Sequence, residues 1–175
     1  MKIRLKKVPN GRPVVSVVRA DGSTTSGQLA GAEGFGPVHD LAHYVVETQL
    51  RVAQGFYGLL AGGWNISDFE VRGASARFPD EAIVVECLVG QLTQVVFSSQ
   101  PMSVTDFNWL VSQAVAAVRP GAPAPQFDAA AFARLRATLL ALVARWRELP
   151  AGESLELDFP VTPAAARRSP CGKSG

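Results

Sequence analysis

Strand-like alternation of side chains lies at the two ends of this 175-residue chain, and helical periodicity fills the stretch between them. That order restricts the fold more than any other feature. Strands set apart from a run of helices pack as an α+β fold, not as repeating βαβ units. Residues 2–8 alternate, with Ile3 and Leu5 on one face. Asn10-Gly11 then supplies a hairpin turn, because both residues tolerate positive φ. Residues 14–19 are largely β-branched and predict a second strand. Asp21-Gly22 turns the chain again into a third strand at 24–29. At the far end, Leu155, Leu157 and Phe159 alternate with Glu156 and Asp158, and this last strand is expected to join the N-terminal meander. The expected fold is thus α+β: a small antiparallel sheet, N-terminal meander plus C-terminal strand, packed on about four helices.

The helices are read from their starts, stops and apolar stripes. A Gly-rich connection at 31–37 leads to Pro37, which suits the first turn of a helix. That helix is predicted to run to about Ala61, where Gly62-Gly63 ends it, with Leu41, Val45, Val52, Phe56, Leu59 and Leu60 in its stripe. Residues 64–73 read as a connector with one turn at Ser67-Asp68-Phe69. A second helix opens at Pro79-Asp80-Glu81 and continues to about Phe97; its interior is apolar nearly all round, which predicts the central, most buried helix. Ser103-Val104-Thr105-Asp106 resembles a capping box for a third helix burying Val104, Phe107, Val111, Ala114 and Val118. Asp128 can cap a fourth, whose stripe is Phe132, Leu135, Leu139, Leu142, Val143, Trp146 and Leu149. Arg134, Arg136, Arg145 and Arg147 flank that stripe as solvated edges whose stems cover apolar surface. Residues 1–160 are expected to form one domain, with 161–175 a disordered tail.

Composition narrows the class. The chain is 47% hydrophobic and 18% charged, with a net charge of +2. That charge is too small to favour nucleic acid or an anionic membrane surface, so neither is expected as a partner. The basic start is not followed by the apolar block of a secretory signal. The longest uncharged stretch, 87–105, carries three Gln, three Ser and a Pro, which makes it a poor membrane span. Cys87 and Cys171 lie in unlike settings and form no disulfide framework; the expectation is a cytoplasmic protein with reduced thiols. Abundant Ala, Arg and Gly with scarce Lys is the usage of GC-rich bacteria. Gly55, Gly58, Gly62 and Gly63 are expected to allow close packing on the second helix near Gly90, with self-association as the other use of such a face.

Both histidines, His39 and His43, stand four apart on the first predicted helix, with Asp40 between them and Glu47 one turn on. At 100° per residue, His43 falls about 40° from His39, Glu47 about 80° and Asp40 about 100°. Imidazoles separated by ~6 Å of rise can grip one ion, whereas Glu47 is ~12 Å from His39 and would share an ion only with His43. Zinc suits such an N/O site, and Fe²⁺, Mn²⁺ and Ni²⁺ also accept imidazole. A ligand from elsewhere is needed, and Glu86, the only charge between Glu81 and Asp106, is the candidate. A carboxylate amid apolar residues is costly unless paired or bound. A salt bridge to Arg51, or hydrogen bonds to His43 or Tyr44, would also account for it, and buried acids more often find such ordinary partners. Glu33 and Asp68 are weaker candidates. The bland alternative is that His39, Asp40, His43, Glu47 and Glu86 form a structural polar network in a non-enzymatic binding or assembly module.

His39-Asp40-Leu41-Ala42-His43 resembles the His-Glu-x-x-His helix of zinc metalloproteases, in which two histidines hold zinc and the acid between them activates water. The resemblance implies hydrolytic chemistry, with Asp40 in the base position although one methylene shorter than Glu. The segment from His39 to Glu47, with Gly55-Phe56-Tyr57-Gly58-Leu59-Leu60-Ala61-Gly62-Gly63-Trp64 and residues 146–159, is similar to a family of small uncharacterised bacterial proteins. That similarity implies a common fold and selects no activity.

Overall fold

The computed structural model describes residues 1–29, 34–98 and 100–161. The first part of the expected 31–37 connection, the candidate Glu33 and nearly all of the expected tail lie outside the described residues. Strands β1 (Lys2–Lys6), β2 (Val14–Val18) and β3 (Thr24–Gln28) form the antiparallel meander, and β4 (Ser154–Asp158) adds to the free side of β1, giving the order β3-β2-β1-β4. Ile3 stands opposite Val17 and Leu157, and Leu5 opposite Val15 and Leu155, so one face of the sheet is continuous apolar surface. The outward face is polar; there Arg4 pairs with Glu156 across the β1–β4 seam at 2.6 Å. The edge strand β3 is made of Thr, Ser, Gly and Gln because α3 (Ile66–Glu70) lies on it. A Cβ on Gly27 would stand 2.6 Å from the Ile66 side chain, and Thr25 Oγ1 accepts from Ile66 N at 2.9 Å.

The main helices are α1 (Phe35–Leu50), α4 (Asp80–Phe97), α5 (Val104–Val118) and α6 (Ala129–Glu148), with a short α2 (Phe56–Ala61) and a 3₁₀ turn at Ala74–Arg77. α1 packs against α4 and α6, and α4 against α5. Their buried side chains join the inner face of the sheet in one core. Ser103 caps α5 by accepting from Asp106 N, and Asp128 caps α6 by accepting from Ala131 N at 2.7 Å. At the other end of α6, Lys7 Nζ donates to the carbonyls of Trp146, Arg147 and Leu149. A cation there satisfies open carbonyls and complements the helix dipole. Arg19 reaches from β2 to the carbonyls of Leu60 and Trp64, fastening the end of α2 to the sheet. Among the described residues, no helix is long and apolar enough to cross a membrane.

Three expectations are corrected. The first helix does not run on to Ala61: it stops at Leu50, Arg51 adopts a left-handed conformation (φ 54°), and α2 restarts at Phe56. The break lets the first amides of α2 turn back onto Glu47, an attraction that no stripe of apolar residues records. The central helix is α1, not α4. Held between α4 and α6, α1 buries even its polar Asp40, His43 and Glu47, whereas α4 leaves Phe97 47% exposed. On α5 the buried row is Phe107, Val111 and Val115, a strict spacing of four against α4, so Val118 is left outside.

Candidate metal centre

Two turns of α1 and one of α4 build the cluster. His39 and His43 project from successive turns toward Glu86 on α4. His39 Nε2 lies 3.2 Å from Glu86 Oε1, and His43 Nε2 lies 3.0 Å from Glu86 Oε2. One ligand atom from each of these three residues falls within 4.8 Å of the others. The rings themselves meet edge to face, centroids 4.8 Å apart. Access is graded: the Glu86 side chain is 58% exposed, that of His39 23% and that of His43 5%. The cluster therefore opens to solvent at Glu86 and closes at His43.

Behind His43 stands Glu47, buried on the same helix. His43 Nδ1 donates to Glu47 Oε1 at 3.1 Å, which leaves Nε2 as the nitrogen directed at the open side. Glu47 in turn accepts from Tyr57 N at 3.2 Å and Gly58 N at 2.9 Å, the first amides of α2. The approach is possible only over glycine. A Cβ on Gly55 would lie 2.6 Å from Glu47 Oε2, and one on Gly58 would lie 2.6 Å from the Ala53 carbonyl carbon. These two glycines thus serve Glu47 and the Val52–Gln54 link, not packing on α4; Gly90 has open space where its Cβ would be.

The electrostatics follow from the burial. Burial alone would strip the proton from His43, but its hydrogen bonds to Glu47 and Glu86, and their charges, outweigh burial and lift it to about 10. Burial likewise works to protonate Glu86, and the two histidines overcome it, holding its carboxyl well below the usual range. Asp40 faces the opposite balance: burial lifts its carboxyl to about 6, against the pull of His43 and His39. Three buried polar atoms have no hydrogen-bond partner among the described residues: His39 Nδ1, Asp40 Oδ2 and the Tyr57 hydroxyl. Burial raises the Tyr57 hydroxyl well above its ordinary value, and the charges of Asp40 and Glu47 push it further.

The structure thus brings His39, His43 and Glu86 to one point, sets Glu47 behind His43 instead of beside the open side, and buries Asp40 next to them. Asp68 is spent elsewhere, closing the capping box of α3 with Asn65. Among the described residues, Glu86 meets both histidines and not Arg51. Sequence reasoning gave no place at the site to Tyr57, to Phe35, whose ring stacks on His39, or to Phe56, whose ring is tilted against His43. The run Gly55-Phe56-Tyr57-Gly58, aromatics between two glycines, was the available signal. Compared with known proteins, the chain matches no family model, no curated protein and no solved structure.

Proposed function

We propose that the chain binds one divalent transition metal, zinc foremost, through His39 Nε2, His43 Nε2 and a Glu86 carboxylate oxygen, and that the bound ion serves hydrolysis. The observation that carries this is the convergence of both Nε2 atoms on one exposed carboxylate, with the other nitrogen of His43 held by a buried one. Two imidazoles and one carboxylate are a known catalytic zinc set; such an ion is a Lewis acid and lowers the pKa of bound water. The chain's own residues divide the remaining work. Glu47 orients His43 and fixes its tautomer, as carboxylates behind metal-binding histidines do. Asp40, buried beside His39 with Oδ2 free of hydrogen-bond partners among the described residues, is the residue placed to act as base. Residue usage and two cysteines in unlike settings support, as part of the same proposal, a bacterial cytoplasmic protein with reduced thiols.

Metal analysis of untagged protein tests the reading. About one equivalent of zinc after supplementation supports it; less than about a tenth of an equivalent of any transition metal removes it. Glu47→Gln should bind zinc roughly 10- to 100-fold more weakly than wild type. A second reading has one observation in its favour: each Glu86 oxygen already meets a histidine, so the network closes on itself without an ion. As a structural network in a binding or assembly module, it predicts the same melting temperature with zinc as with chelator. The metal reading predicts a rise with zinc, about 2.7 kcal/mol of added stability at 100 times Kd.

A further inference from the structure

Large aromatic side chains are normally withdrawn from water, yet two stand exposed at the mouth of the cluster: Phe35 at 38% and Phe97 at 47%. They are not independent. Phe35 stacks on the His39 ring (centroids 5.5 Å, planes 21° apart), and Phe97 stacks on Phe35 (6.0 Å, 19°). The three rings form one layered wall running outward from a candidate ligand. On the other flank, Phe56 lies 5.4 Å from His43, but that ring is also packed on Tyr57 and Phe69. Among the described residues, the Phe35–Phe97 side carries the exposed rings, joined to the cluster through His39.

We infer that Phe35 and Phe97 form the binding wall for an aromatic ring carried by the ligand, one or two bonds from the oxygen that reaches the metal. The inference rests on the metal reading above and adds the ligand class: a small aryl or arylalkyl acyl compound, in which the carbonyl or carboxylate meets the ion while the ring lies along the wall. Two rings beside an inset histidine suit a small planar group. Edge-to-face contact with the exposed sides of the layered rings, and loss of water from them, supply the affinity.

The probes are benzohydroxamate and acetohydroxamate, which offer a metal the same two oxygens and differ in the ring. Titrated into zinc-loaded protein by calorimetry, benzohydroxamate should bind about tenfold or more tightly than acetohydroxamate. Phe97→Ala, at an exposed position, should bring the ratio close to one while leaving zinc uptake and acetohydroxamate affinity as in wild type. Phe35→Ala should lower the ratio in the same way. Equal binding of the two probes by zinc-loaded wild type, or an unchanged ratio in both variants, overturns the aromatic wall and leaves the metal site standing. Failure to take up zinc overturns the metal reading and this inference with it.

Discussion

Glu47 is the residue on which the site turns. Its carboxylate has one histidine and two backbone amides as partners and is sealed from solvent. Removing one partner of a buried charged pair leaves the other uncompensated, so Glu47→Ala should lower stability by roughly 3–5 kcal/mol in urea unfolding. A loss below about 1 kcal/mol would show that His43 and the amides find water instead. The histidine carries a pH dependence of definite sign. In metal-free protein, His43 is raised from 6.5 to about 10, so its contribution is complete below pH 6.5 and fades as pH rises toward 10. Stability should fall by roughly 1 kcal/mol per pH unit between 7 and 9.5. Asp40, raised from 3.8 to about 6, adds a smaller loss across that acidic interval, while the depressed Glu86 contributes above 4.5 and loses its contribution as pH falls. A melting temperature that stays level from pH 7 to 9.5 in the metal-free protein, or falls equally in His43→Gln, would contradict the assignment to His43.

Among the elements, the decisive one is the break between α1 and α2. Apolar periodicity passes through it without interruption: Leu41, Val45, Val52, Phe56 and Leu59 read as one stripe. The restarted helix brings two further donors to a buried carboxylate that a continuous helix would leave with His43 alone. Gly55 sits at φ −78°, ψ −168°, a conformation open to alanine, so the constraint on it is space alone. Gly55→Ala should therefore cost about 1–3 kcal/mol by pushing Glu47 off the α2 amides, and should weaken zinc binding as well. The check is paired unfolding and zinc titration; an alanine variant that matches wild type in both would mean that Glu47 has room to move.

At the scale of the whole molecule, the sheet is closed by pairs from the two ends of the domain, Lys2 with Asp158 through Lys6 with Ser154. Met1 and Phe159 exchange backbone hydrogen bonds at the β1–β4 seam, and Leu155, Leu157 and Phe159 enter the common core. Ending the chain after Leu149 would leave the backbone groups of β1 that pair with β4 as an open sheet edge and remove three core side chains. Such a truncation should abolish cooperative thermal unfolding; a sharp transition near that of the full chain would show that the helices and meander suffice. The same closure brings Tyr44, on α1, to the Asp158 carbonyl, so the metal-bearing helix and the closing strand hold one another.

What the amino-acid order determined by itself were the quantities written in neighbours along the chain. Alternation specified the four strands, turn residues and caps placed most helix ends, and the i, i+4 spacing of His39 and His43 set them on one face. Even Glu86 stood out, as a lone charge in an apolar run. Tertiary structure decided what depends on partners distant in sequence. It made α1 instead of α4 the central helix, since burial comes from what packs on each side and not from a helix's own hydrophobicity. It moved Glu47 from candidate ligand to the carboxylate behind His43, because only folding brings the Tyr57 and Gly58 amides to it. It also laid Phe35 against Phe97, two rings whose proximity arises where α1 crosses α4. Periodicity reports which face a side chain takes; the identity of the group opposite is a property of the packed chain.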